Sequence, residues 1–210
     1  MEPKPVLFVL VEKYADWEGA FLASDIMRYS EQTGLVVKTV GVQSSSPSSL
    51  GGFKTLTDYT LDTVPNDFAG LVLIGGETWR TPEVEGVDDL LEKALKKEIP
   101  VGIICDATVF AAKHGRLNTI KHTSNYLVSM REYSGDAYTN KANYQRELAV
   151  IDNGIVTAGG DAPTEFCRLM SKALKLAPDE EIESNFIMHK EGLYAASSRN
   201  PEWKAYIDQD

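Results

Sequence analysis

The sequence predicts an α/β fold: one central, mainly parallel sheet with helices wound on both sides, in a single domain over residues 1–210. Three observations point there. Continuous apolar runs such as Val6–Val11, Phe68–Ile74 and Val101–Ile104 have the pattern of strands covered on both faces. Segments with apolar residues at helical spacing stand between those runs. The connections are long enough to cross back over a sheet, so successive strands can run parallel.

Val6–Val11 is the first strand. Asp16 caps the helix that follows, in which Trp17, Ala20, Phe21 and Met27 recur near helical spacing and Gly34 is the stop. Leu35–Val40 is the second strand. The Ser-rich stretch Gln43–Gly52 is a surface loop rather than a linker, because strand-like sequence resumes at once. Phe68–Ile74 is a buried strand halted by Gly75-Gly76. An amphipathic helix spans Val84–Glu98, its face set by Val87, Leu90, Leu91, Ala94 and Leu95. Val101–Ile104 is another buried strand, and a short helix runs from about Ala107 to Gly115. Tyr133–Arg146 is polar and aromatic without periodicity, which predicts a loop. Leu148–Ile151 and Ile155–Ala158 flank Asp152-Asn153-Gly154, a hairpin signal because Asn and Gly tolerate positive φ. Helices are expected over Thr164–Leu176 and Asp179–Lys190.

The bulk properties exclude several classes of function. A 43% apolar content suits a large core, and a net charge of -10 leaves no positive stripe for a nucleic acid. No apolar run reaches the roughly 20 residues of a membrane span. Met1-Glu2-Pro3-Lys4-Pro5 leads straight into the first strand without a secretory cleavage pattern. Two cysteines without a spacing motif make neither a disulfide framework nor a zinc site, so reduced, cytoplasmic thiols are expected, with no cofactor and no metal.

In doubly wound sheets, ligands sit beyond the carboxyl ends of the strands. That rule nominates Asp16–Gly19, Gly75–Thr78 and Cys105–Thr108. Cys105 stands where a strand turns into a helix, and small Ala107 permits a tight turn. The free amides of the new helix favour thiolate, so its pKa is expected in the reactive range, roughly 3.5–7.5. The competing reading is a core cysteine, but core cysteines sit within elements rather than on this edge. Gly76 and Asp106 offer backbone amides for an oxyanion hole, against the simpler reading of a tight turn. Glu18 is a carboxyl that could share a proton with the thiol, or else a solvated first-turn residue complementing the helix dipole. His122 could reach the cysteine. His114 suits a structural place in a helix's last turn. His189, in His189-Lys190-Glu191, superficially matches the pair completing a Cys-His-Glu triad, but no apolar strand leads into it. Cys167 shares an apolar face with Met170 and Leu174 and belongs to the core.

Taken together, Ala15-Asp16-Trp17-Glu18, Leu73-Ile74-Gly75-Gly76, Ile103-Ile104-Cys105-Asp106-Ala107, Lys121-His122-Thr123-Ser124-Asn125 and Ile155–Gly160 leading into Pro163-Thr164-Glu165-Phe166 resemble the PfpI-type intracellular protease and protein deglycase family, within the class I glutamine amidotransferase-like superfamily. The resemblance covers most of residues 5–176. It implies a flavodoxin-like three-layer sandwich, assembly as dimers or larger oligomers, and a hydrogen bond from Glu18 to the reactive cysteine. Peptidase-like members carry histidine directly after the cysteine, where this chain has Asp106. Deglycase-like members often carry one where Asn125 falls.

Three functions follow. The first is a cysteine-dependent hydrolase or amidotransferase-like enzyme acting on a peptide or small molecule, with Cys105 attacking, the Gly76 and Asp106 amides holding the oxyanion, and Glu18 or His122 moving protons. The second is a deglycase or glyoxalase-like enzyme on small aldehydes, needing only Cys105 and Glu18. The third is a redox-sensing stress protein whose Cys105 oxidises.

Overall fold

Runs of apolar residues with no polar alternation are stable only between two helical layers, and that is where the chain puts them. The computed structural model describes residues 3–199 together with Lys204, Ala205 and Ile207. Met1 and Glu2, part of the start read for a secretory pattern, lie outside the described residues.

Strands β1 (Lys4–Leu10), β2 (Leu35–Gly41), β3 (Tyr59–Thr60), β4 (Gly70–Leu73), β5 (Val101–Ile104), β6 (Ala149–Asp152) and β7 (Ile155–Ala158) form one seven-stranded sheet in the order β3-β2-β1-β4-β5-β7-β6. Every neighbouring pair is parallel except β6 with β7. That pair is the expected hairpin, turned by Asn153 and Gly154 at φ 49° and 75°. β4, β5 and β7 are buried at every residue.

Helices cover both faces. α1 (Asp16–Arg28), α6 (Pro163–Ala173) and α7 (Asp179–Glu191) pack on one another, while α3 (Val87–Lys96), α4 (Ala107–Lys113) and α5 (Leu127–Ser134) belong to the other layer. α6 lies directly on β5 because residue 102 is glycine: a Cβ there would stand 2.6 Å from the Phe166 ring. Among the described residues, no helix is long and apolar enough to cross a membrane.

Some expectations need correction. The N-cap of α1 is Ala15, without a side-chain cap. Asp16 is already inside the first turn, and its Oδ2 accepts from the Gly51 amide at 2.8 Å, tying down the Ser-rich loop. Gly34 stops not α1 but a separate turn, α2 (Ser30–Thr33), at φ 70°. The stretch expected as a loop opens on the end of α5 and holds 3-10 turns at Gly135–Ala137 and Lys141–Asn143. A further helix, α8 (Leu193–Arg199), follows α7.

The chain runs outward from β1 to β2 and β3, then returns to build β4 and β5 on the other side of β1. A crevice therefore opens at the carboxyl ends of β1 and β4.

Candidate active site

Cys105 immediately follows β5. Its amide donates to Ala158 O of β7 at 3.0 Å, and its carbonyl accepts from the Thr108 amide and hydroxyl at 3.1 and 2.6 Å. Between these anchors the residue adopts φ 61°, a left-handed conformation that costs a non-glycine residue about 1–2 kcal/mol. The turn lifts the side chain off the strand end toward Gly75, where an added Cβ would stand 2.4 Å from Cys105 Cβ and 2.5 Å from Glu18 Oε2. Only glycine fits there.

Glu18, in the first turn of α1, is fully buried. Its Oε2 accepts from the Gly75 amide at 2.7 Å, and its Oε1 has no hydrogen-bond partner among the described residues. A Cβ added to Gly160 would meet Glu18 Oε1 at 2.7 Å and Cys105 Sγ at 2.8 Å, so both atoms border one small gap. Burial pushes the Glu18 carboxyl up to about 7, against the opposing pull of the neighbouring Cys105 thiol and the Gly75 amide. Burial first, and the Glu18 carboxylate second, push the Cys105 thiol up to about 12, while Asn125 and the Asp106 amide pull it down. This corrects the expectation of an acidified thiol, which counted the helix amides and left out burial. The two groups form one coupled pair: when Glu18 takes a proton, the repulsion that holds the thiol up disappears.

The sequence marks Asn125 only as the place where related chains carry a histidine. Its Nδ2 donates to Cys105 Sγ at 3.3 Å, and its Oδ1 accepts from the Gly160 amide at 2.8 Å. The Trp17 indole donates to Gly160 O at 2.8 Å, leaving its half-exposed ring as a wall. Trp17, Glu18, Cys105, Asn125, Gly160 and Asp161 line an open cleft of about 480 Å³. A second hollow of about 500 Å³ shares Asn125 and Asp161 and continues past Tyr126, Tyr144 and Arg146. Loop residues such as these become neighbours only through the fold, and no local spacing announces them.

The other expected site residues are placed as follows. Gly76 is buried in an antiparallel bridge with Tyr14, with no room for a Cβ beside Lys13 O at 2.8 Å. The amide of Asp106 faces Cys105, while its carboxylate is clamped by Arg80 through Nε at 2.7 Å and Nη2 at 2.5 Å. Arg80 also donates to Ser129 Oγ at 2.9 Å and lies 3.5 Å over the Tyr133 ring. His122 is not brought to the cysteine. It is fully buried, with Nδ1 2.8 Å from Ile120 O and Nε2 2.7 Å from Tyr138 Oη, so its expected proton-carrying role is corrected to a core one. His114 ends α4 between Glu85 and Asp88. His189 lies on α7 beside Asp25, and Cys167 is buried on α6.

The comparisons with known proteins bear on the family and the fold. The sequence pattern described as the DJ-1/PfpI family matches residues 4–173. The chain is 36% identical over 191 residues to the uncharacterized protease YdeA of Bacillus subtilis, covering 91% of this chain and 93% of that one. It is 31% identical to a second uncharacterized protease of that organism, YoaZ, covering 90% and 92% of the two chains. Among solved structures, a thiJ/pfpI family protein from Bacillus anthracis superposes with a TM-score of 0.83 at 28% identity, over 98% of this chain and 95% of that one. The DJ-1 superfamily protein Atu0886 from Agrobacterium tumefaciens gives 0.79 at 30% identity, over 90% and 99%. With its sheet order, its strand-end cysteine and these matches, the chain belongs to the DJ-1/PfpI family.

Proposed function

We propose that the protein is a cysteine-dependent enzyme in which Cys105 attacks the carbonyl carbon of a small aldehyde and Glu18 carries the proton. The observation behind this reading is the fully buried Glu18 carboxyl, pushed up to about 7, with its unpartnered Oε1 beside the thiol. A proton leaving sulfur has a base within the site whose affinity suits neutral pH. As the S–C bond forms, the carbonyl π pair moves to oxygen, and the proton taken by Glu18 can return to that oxygen. The addition has no leaving group to protonate, so this step needs no histidine; when the S–C bond breaks again, sulfur leaves and takes its proton back from Glu18. The two free cysteines support a reducing, cytoplasmic setting.

A second reading, hydrolysis of an activated acyl or peptide substrate, is favoured by the protease names of the Bacillus relatives and by the hollow that continues from Asn125. The test is consumption of methylglyoxal by the purified chain, beside acyl-enzyme formation with an activated ester followed by intact mass. Turnover of the aldehyde that is lost in Cys105→Ser and Glu18→Gln supports the first reading. A stable acyl group on Cys105 without aldehyde turnover supports the second. Turnover unchanged in Cys105→Ser would sink both.

A further inference from the structure

Away from the cleft, three helices bring together side chains that the proposed reaction does not use. His189 Nε2 of α7 lies 3.2 and 3.3 Å from the two carboxylate oxygens of Asp25 on α1, and Cys167 Sγ of α6 lies 3.4 Å from Asp25 Oδ2. The three donor atoms all lie within 4.8 Å of one another. Asp25 and Cys167 are buried, and the His189 side chain is 11% exposed. We propose that Asp25, Cys167 and His189 form a site for one zinc(II) ion, bound through a carboxylate oxygen, Sγ and Nε2, with water in the fourth position.

The separations suit the ion. Zinc holds sulfur at about 2.3 Å and nitrogen or oxygen at about 2.0–2.2 Å, so tetrahedral donors stand roughly 3.3–3.6 Å apart. The oxygen–sulfur and oxygen–nitrogen edges here are already close to that without rearrangement. The donor set, one thiolate, one imidazole and one carboxylate, is borderline-soft and matches zinc rather than magnesium or calcium. Two anionic ligands neutralise the dication in a buried place. Without metal, burial and then the Asp25 carboxylate push the Cys167 thiol up. Coordination to a dication replaces the proton: the thiol releases it to solvent, and His189, binding through Nε2, keeps its proton on Nδ1.

The surroundings orient the ligands. The Phe21 ring packs on the His189 ring at 4.7 Å, and Ser171 Oγ lies 3.9 Å from Cys167 Sγ. The cation facing this cluster, Arg28, extends to Asn185 Oδ1 at 3.5 Å.

The test uses the full, untagged chain stripped of metal and titrated with Co²⁺ as a spectroscopic stand-in for zinc. One equivalent should develop a near-ultraviolet sulfur-to-cobalt charge-transfer band that Zn²⁺ displaces. The band should vanish in Cys167→Ser and His189→Gln and persist in Cys105→Ser. Zn²⁺ should raise the melting midpoint of wild type and not that of His189→Gln, a substitution at a mostly buried position that keeps an N–H donor for Asp25. No band, or a band lost in Cys105→Ser and kept in Cys167→Ser, overturns the site and leaves the three residues as a hydrogen-bonded latch between helices.

Discussion

Glu18 Oε1, from the first turn of α1, and Cys105 Sγ, from the end of β5, close on the same point: a methyl group on Gly160 would lie 2.7 Å from the oxygen and 2.8 Å from the sulfur. Any side chain at position 160 would stand between them, so glycine there keeps the two atoms facing one another.

Gly160→Ala should therefore separate chemistry from stability. Gly160 is half-buried on a loop, so the melting midpoint should move by only a few degrees, while Cys105 turnover should fall at least tenfold. Turnover and melting curves of wild type and variant check this. Unchanged turnover would mean that the two side chains act independently.

Replacing Glu18 by Gln removes the carboxylate charge and keeps an N–H donor. The Cys105 thiol should then titrate in one step, below the wild-type value of about 12, because the second-largest cause of its elevation is gone. Thiolate absorbance against pH reads this directly. Superimposable curves for the two proteins would show that the carboxylate does not feel the sulfur.

Stability should carry the same signature. The Glu18 carboxyl rises from 4.5 to about 7 on folding, so the folded state binds this proton more tightly than the unfolded chain. Its contribution is complete below about 4.5 and is lost as pH rises through about 7, a change of about 3 kcal/mol. Carboxyls held low by lysine and arginine, such as Glu183 and Glu165, act in the opposite sense. The measurement is therefore the difference in urea-unfolding free energy between wild type and Glu18→Gln at several pH values. A difference that stays flat from pH 4 to 8 contradicts the shift.

Asn125→His would put an imidazole where the amide now donates to sulfur at 3.3 Å. It should add acid catalysis for a leaving group, raising hydrolysis of an activated anilide severalfold and giving its rate a pH dependence near the histidine range. Kinetics from pH 5 to 9 test it. A rate and profile identical to wild type would show that position 125 does not face the reacting atoms.

The sheet was legible because strands buried on both faces write their burial into the sequence as unbroken apolar runs, as in Val101–Ile104. The hairpin was legible because Asn153 and Gly154 supply two successive positive φ angles. β3 is only two residues long and leaves no pattern to find. α5 leaves a weak apolar pattern because Val128 and Tyr133, two of its larger apolar residues, are more than half exposed. Cys105 could be read from its place at a strand end. Glu18 needed the resemblance, since its burial is a tertiary fact that spacing does not carry. His122 misled for the same reason: Tyr138, sixteen residues on, holds the ring inside the core. The Asp25–Cys167–His189 cluster joins positions up to 164 residues apart and has no local trace.

The left-handed turn at Cys105 also bears on how this protein can change. Glycine enters φ 61° freely where cysteine does not, so Cys105→Gly would relieve roughly 1 kcal/mol of backbone strain while discarding the thiol. At this one residue durability and reactivity pull in opposite directions. A chain drifting without selection on its chemistry has a downhill path to a sturdier, inert fold.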